Sequence, residues 1–286
     1  LRTFSHPVHV AAINFLNPAP LMWDFEHPPL AAKLAERYQL HYTLPSLCAD
    51  ELLAGRADLG LIPIASLTPS LAIVPGCTIA SLGHVRSIQL IVKAPLTLEQ
   101  VRTVAADNAS RSSRAYAEIL FRRFLRTSPA FLTQPADPVT MLRNADAALL
   151  IGDPALLALE SRSQIEAAVG PCQWFDLANE WRTRTGLPWV AAVWAVRPES
   201  LAQSHVTAST LIDDLIRSRD HGLAHTDDLV AEWVPRIALP AETIHHYLTA
   251  NIHYTLTPEC IRTIEVFREY AAGEGILPSL PSLHFV

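Results

Sequence analysis

The first 64 residues switch repeatedly between two apolar periods. V-H-V-A-A-I (8–13), L-H-Y-T-L (40–44) and D-L-G-L-I-P-I (58–64) are β-type runs, and 29–38 and 47–55 between them carry helical spacing. Such a chain can bury both kinds of apolar face only by laying helices against a sheet. The alternation therefore predicts an α/β fold with a largely parallel sheet. Two further β-rich runs follow, 71–76 and 87–93, and Ala94-Pro95 punctuates the second.

The next block repeats the theme: a strand at 103–106, helices at 112–125 and 139–143, and a strand at 145–153. There is an internal echo. G-R-A-D-L-G-L-I-P and R-N-A-D-A-A-L-L-I-G-D-P each place a short helix, Ala-Asp, an apolar strand and a proline-bearing turn in that order. W-V-A-A-V-W-A-V (189–196) reads as a buried strand returning toward Arg197-Pro198. Helices are then predicted at 201–221, 226–237, 241–247 and 258–272, the last with an apolar stripe of Ile261, Ile264, Val266, Phe267 and Tyr270. The expectation is a two-lobed α/β fold with a central cleft. One lobe is discontinuous, 1–94 with 197–286, and the other is 95–196. Ligands in such folds sit at the carboxyl ends of strands.

Composition narrows the partner. Half of the 286 residues are hydrophobic, enough for a full core, and 22 Lys and Arg against 28 Asp and Glu give a net charge of −6. No basic block is present, which argues against a nucleic-acid or anionic-membrane partner and for a small molecule. Cys48, Cys77, Cys172 and Cys260 lie far apart, without metal or disulfide spacing, and read as buried thiols. The N-terminal stretch lacks the charged and apolar regions of a leader, and no run approaches a membrane span, so a cytoplasmic protein is expected.

Several stretches could carry chemistry. In S-R-S-S (110–113), after a strand, Ser110, Arg111, Ser112 and Ser113 furnish a helix start more richly than capping requires; a carboxylate cradle and an ordinary cap both fit. I-N-F-L-N-P-A-P-L (13–21) offers Asn14 and Asn17 in a turn fixed by Pro18 and Pro20. G-H-V-R-S-I (83–88) places Ser87 at the start of a strand. L-L-I-G-D-P-A-L (149–156) ends a strand on Gly152 and Asp153, where the backbone could approach a ligand or Asp153 could cap a helix. W-R-T-R-T-G-L-P-W (181–189) carries Thr185 and Gly186, suited to a hinge or a ligand-facing loop. His221 and His225 stand four apart without the glutamate of a zincin, and nucleotide, dinucleotide and G-x-S-x-G motifs are absent. No metal and no cofactor is expected.

Together the ordered stretches N-F-L-N-P-A-P-L, D-E-L-L-A-G-R-A-D-L-G-L-I-P-I, V-P-G-C-T-I-A-S-L-G-H-V-R-S-I-Q-L, D-N-A-S-R-S-S-R-A, L-L-I-G-D-P-A-L and L-A-N-E-W-R-T-R-T-G-L-P-W resemble the MqnA family of menaquinone biosynthesis. These are the chorismate dehydratases of the futalosine pathway, with a fold like the type II periplasmic binding proteins. The resemblance implies a hydro-lyase that takes the dicarboxylate chorismate to 3-[(1-carboxyvinyl)oxy]benzoate. It puts Asn17 and Ser87 at the reacting end, Ser110 to Ser113 at a carboxylate, and Gly152, Asp153 and Thr185 around the cleft. With no His or Glu obviously placed as base, the substrate's enolpyruvyl carboxylate is expected to take the C3 proton. The chain departs from the family where many members carry a glutamate after the I-P motif and this one has Ala65-Ser66-Leu67, and where His84 replaces a common proline. The dihydroxynaphthoate-forming sibling enzyme, a solute-binding protein and a transcriptional effector-binding domain are the alternatives. The first lacks the E-W-x-x-x-T-G-L-P stretch, the second normally carries a leader, and the third needs a DNA-binding helix pair.

Overall fold

The computed structural model describes residues 6–286, and the first five residues of the N-terminal stretch lie outside them. Two mixed sheets form. The first joins β1 (Val8–Ile13), β2 (Tyr38–Thr43), β3 (Leu59–Pro63), β4 (Ala72–Ser81), β10 (Trp189–Val196) and β11 (His253–Thr255) in the order β11-β4-β10-β3-β1-β2. The second joins β5 (Ile88–Lys93), β6 (Thr103–Asp107), β7 (Ala130–Gln134), β8 (Ala147–Ile151) and β9 (Cys172–Asp176) in the order β7-β6-β8-β5-β9.

β1 runs parallel to β2 and β3, and β6 runs parallel to β7 and β8. One interior strand of each sheet runs the other way: β10 between β3 and β4, and β5 between β8 and β9. With these two strands the chain enters the second sheet and returns to the first. The lobe boundaries expected at Pro95 and Arg197 therefore move. The chain passes between sheets at 82–87 and 177–188, ahead of each strand rather than behind it. β5 is buried almost throughout and finds hydrogen-bonding partners on both edges only inside the second sheet.

The Ala-Asp echo has a structural basis. Helix Pro45–Leu53 leads into β3, and helix Pro138–Asn144 leads into β8. Asp58, just before β3, accepts from the His9 amide of β1 at 2.9 Å. Asp146, just before β8, accepts from the Arg102 and Thr103 amides at the start of β6 at 2.9 and 3.0 Å. Each carboxylate fixes the start of one parallel strand against the next, so the loops leaving β1 and β6 occupy corresponding places in the two lobes. Those loops carry Asn17 and Ser110 to Ser113.

The core is continuous across both sheets. In the second sheet alternate residues divide cleanly: Leu90, Val92, Val104, Ala106, Leu149 and Ile151 join the main cluster, while Ile91, Ala105, Ala148 and Leu150 face a smaller one under Met141, Leu142 and Ile165. Each fully buried leucine, isoleucine or valine contributes about 1.5–3 kcal/mol. The four cysteines are buried and free, and among the described residues no helix is long and apolar enough to cross a membrane.

Candidate active site between the two sheets

The loops after β1, β6 and β8 converge with the turn before β5 on a cavity of about 50 Å³. Its walls are mainly apolar, including Phe15, Pro63, Ile79, Val85, Ile151 and Trp189. Five polar side chains named from the sequence or its resemblance line it: Asn17, Ser87, Arg111, Ser112 and Ser113. Among the described residues its lining includes no Asp, Glu or His.

Asn17 comes from the turn between β1 and the 3-10 helix Ala19–Met22, and its Oδ1 is buried without a hydrogen-bond partner. Ser87 is held by backbone constraints. Arg86 adopts a left-handed φ of 62°, and its amide donates to Asp176 Oδ2 at 2.7 Å. Ser87 N donates to the Val85 carbonyl, and Gly152 N donates to the Ser87 carbonyl, both at 2.8 Å. A non-glycine residue at positive φ costs about 1–2 kcal/mol, here offset by the buried Asp176 carboxylate. Asp176 also caps the helix Leu177–Thr185 through the Ala178 and Asn179 amides. Burial raises its carboxyl above the ordinary range against those amide bonds.

Gly152 is required by shape. Its φ is +60°, and a Cβ there would lie 2.7 Å from two ring carbons of Phe15 across the cleft. The next residue, Asp153, accepts from the Leu16 amide at 3.0 Å, tying the Asn17 turn to the second lobe. Asp153 is not in the cavity lining but behind it, and burial pushes its carboxyl up to about 6, opposed by the Leu16 amide bond. Tyr247, fully buried on a π-helical turn, stands beside Ser87, Asp153 and Asp176. Burial above all raises its hydroxyl pKa, the Ser87 hydroxyl opposes that, and the two carboxylates add to it. Nothing in the sequence singled out Tyr247 or Asp176. The only available signal was Asp176 before Leu-Ala-Asn-Glu, an N-cap pattern.

The S-R-S-S segment divides its tasks. Helix Ser112–Ile119 starts from Arg111 without a side-chain cap, so its first-turn amides have no intrahelical acceptor. Ser112 Oγ donates to the Ala191 carbonyl at 3.1 Å and accepts from the Ala65 amide at 3.2 Å, so its hydroxyl bridges to the first lobe. Ser113 Oγ makes no hydrogen bond to a described residue, whereas Ser110 Oγ is buried and unpaired, outside this cavity. Arg111 grips Asp50 of the first lobe with one nitrogen, Nη2 donating to both carboxylate oxygens at 2.7 and 2.9 Å.

Thr185 and Gly186 are not brought to the cavity. Thr185 Oγ1 donates to the Trp181 carbonyl at 2.8 Å, and Gly186 ends that helix at φ 72°, where a Cβ would meet nothing within 4 Å. The T-G pair is a left-handed helix cap, the common use of glycine after a helix. His221 and His225 pair separately with Asp24 and Asp228, so they share no site. His6, His9 and Asp58 do bring one ligand atom each within 4.8 Å of the others, a cluster the spacing did not suggest. Asp58, however, already accepts from the His9 amide, Arg197 and Ser200.

Comparison with known proteins bears on the family and the fold. Residues 8–273 match the family model described as menaquinone biosynthesis. A chorismate dehydratase from Thermus thermophilus is 27% identical over 232 residues, 77% of this chain and 82% of that protein. A protein of known structure from Archaeoglobus fulgidus superposes with a TM-score of 0.71 at 14% identity, over 96% of this chain and all of that one. The periplasmic aliphatic sulphonate binding protein of Escherichia coli gives 0.66 at 13% identity, over 96% and 89%. The architecture is that of the periplasmic binding proteins, and by the match over residues 8–273 the chain belongs to the menaquinone biosynthesis family.

Proposed function

We propose that the inner cavity binds chorismate and eliminates water from it to give 3-[(1-carboxyvinyl)oxy]benzoate, with the substrate supplying its own base. One observation carries the reading: the lining offers amide, hydroxyl, guanidinium and helix-terminal donors and, among the described residues, no Asp, Glu or His. Such a site can hold carboxylates and orient a reacting group, yet has no side chain suited to take a carbon-bound proton at neutral pH. Chorismate needs little more, because the product ring is aromatic.

The C3–H bond breaks first, its proton passing to the enolpyruvyl carboxylate and its electron pair entering the ring. The C4–O bond then breaks, and the proton held by the enolpyruvyl carboxyl passes to the departing oxygen, which leaves as water while the carboxylate is restored. Asn17 orients the enolpyruvyl carboxylate with its amide N–H, and the Ser87 hydroxyl holds the departing C4 oxygen. The open first-turn amides at Ser112 and Ser113 hold the ring carboxylate. Ligand pockets run to about 300–1,000 Å³, so a 50 Å³ cavity must widen by parting of the lobes to admit substrate. The contacts that must yield include the Asp153–Leu16, Arg111–Asp50, Ser112–Ala65 and Ser112–Ala191 bonds. Their re-formation excludes water around the reacting centre.

Purified protein incubated with chorismate should yield a product lighter by one water, identified by mass spectrometry. Chorismate that binds and is recovered unchanged would leave a solute-binding role and defeat the dehydratase reading.

A further inference from the structure

A second and larger cavity, of about 590 Å³, opens on the other side of Arg111, between the loop at 65–68, the start of helix Ser112–Ile119 and the chain at 275–278. Arg111 lines both cavities, but the two are otherwise built from different residues. The outer cavity has an uncompensated cation in its wall. Arg268, on helix Pro258–Gly273, is only 4% exposed. Its two terminal nitrogens donate to the Ala65 carbonyl at 3.0 Å and the Pro278 carbonyl at 3.1 Å, and its Nε is buried with no partner. Among the described residues no carboxylate pairs with it.

The other arginines at this wall have carboxylate partners. Arg111 is paired with Asp50, and Arg114 and Arg122 both hold Glu118. Asp107 takes the Ala109 amide at 2.9 Å, and burial raises its carboxyl above the ordinary range. Of the three arginines that line this cavity, Arg268 alone has no carboxylate partner among the described residues. A buried guanidinium satisfied only by carbonyls is costly, and burial depresses its basicity accordingly. A second unpaired donor lines the same cavity: Ser110, 5% exposed, whose Oγ has no partner. Leu53, Leu67, Ile276 and Leu277 supply apolar surface beside these groups.

We propose that the outer cavity is a distinct binding site for a small organic carboxylate, held by Arg268 and Ser110 and flanked by the leucines and isoleucine. The carboxylate supplies the missing counter-charge, and the apolar wall selects an organic anion over an inorganic one. Binding there does not depend on turnover in the inner cavity.

The test is equilibrium dialysis of isophthalate, with inorganic phosphate as competitor, against the full chain carrying Asn17→Asp, which sets a negative charge in the inner cavity. At least one equivalent should bind. Arg268→Met in that background should abolish one equivalent or weaken it at least tenfold. Ser66→Glu, which adds a carboxylate to the outer wall without removing the arginine, should do the same and serves if Arg268→Met misfolds. Phosphate should compete more weakly than unlabelled isophthalate. No binding to the Asn17→Asp protein, or undiminished binding after Ser66→Glu or a folded Arg268→Met, overturns the site. Tighter binding of phosphate overturns the organic-carboxylate assignment. Chorismate turnover is not read, so failure here is separate from failure of the dehydratase reading.

Discussion

Replacing Gly152 by alanine joins the fold to the site in one perturbation. At φ +60° an L-residue costs about 1–2 kcal/mol relative to glycine. The new Cβ would also lie 2.7 Å from Cδ2 and Cε2 of Phe15, against an ordinary carbon contact of about 3.5–4 Å, so the ring or the loop must move. Overpacking of this kind costs about 1–3 kcal/mol, for a total loss of about 2–5 kcal/mol. The displacement acts on both sides of the cavity, because Gly152 N holds the Ser87 carbonyl and neighbouring Asp153 holds Leu16. Urea unfolding should therefore show a lower midpoint, accompanied by reduced turnover. In a Phe15→Ala background the clash disappears and only the backbone part of the cost should remain. Gly186→Ala supplies the control, with φ 72° and no atom within 4 Å of its Cβ. If Gly152→Ala costs no more than Gly186→Ala, or Phe15→Ala gives no relief, the close approach across the cleft is not what fixes this glycine.

Other substitutions separate the remaining parts of the site. Asn17→Asp should lower kcat/KM at least tenfold, read by steady-state kinetics, by placing charge beside the enolpyruvyl carboxylate. Ser112→Ala strips a hydrogen-bond partner from both the Ala65 amide and the Ala191 carbonyl and should cost about 1–3 kcal/mol in denaturant unfolding. Asp153 gives a pH signature. With its native carboxyl near 6 against an ordinary 3.8, the native state holds the proton more tightly, so this residue's stabilising contribution is complete below about pH 4 and lost as pH rises through about 6. Asp153→Asn removes about 3 kcal/mol of this pH dependence, seen as a changing stability difference from wild type between pH 4 and pH 7.

Much of this architecture was legible because period and position carry it. The strands at 8–13 and 189–196 match their apolar runs, and the Ala-Asp echo corresponds to two carboxylates with the same task. Lobe boundaries were less legible, since proline marks where a strand ends but not which sheet receives it; β5 and β10 are assigned by long-range pairing. β7, β9 and β11 are short and partly exposed, so they lack a strong alternating pattern. At the site, the residue types at Asn17, Ser87 and Ser113 suggested donors, and all three line the cavity. Thr185 and Gly186 showed the limit, because the same Thr-Gly pair ends a helix there. Tyr247 and Arg268 were invisible and Asp176 showed only as a helix cap, because their significance comes from distant neighbours: Ser87, the Ala65 carbonyl and the Arg86 amide.

The central claim is dehydration without a base from the protein, and it is tested most directly by comparing chorismate with its enolpyruvyl carboxamide. The carboxamide retains the ring carboxylate, the C4 hydroxyl and the overall shape, but it cannot accept the C3 proton. Single-turnover reactions followed by mass spectrometry should show water lost from chorismate, with the carboxamide acting only as a competitive inhibitor. Dehydration of the carboxamide at a comparable rate, or no dehydration of chorismate, would contradict the account.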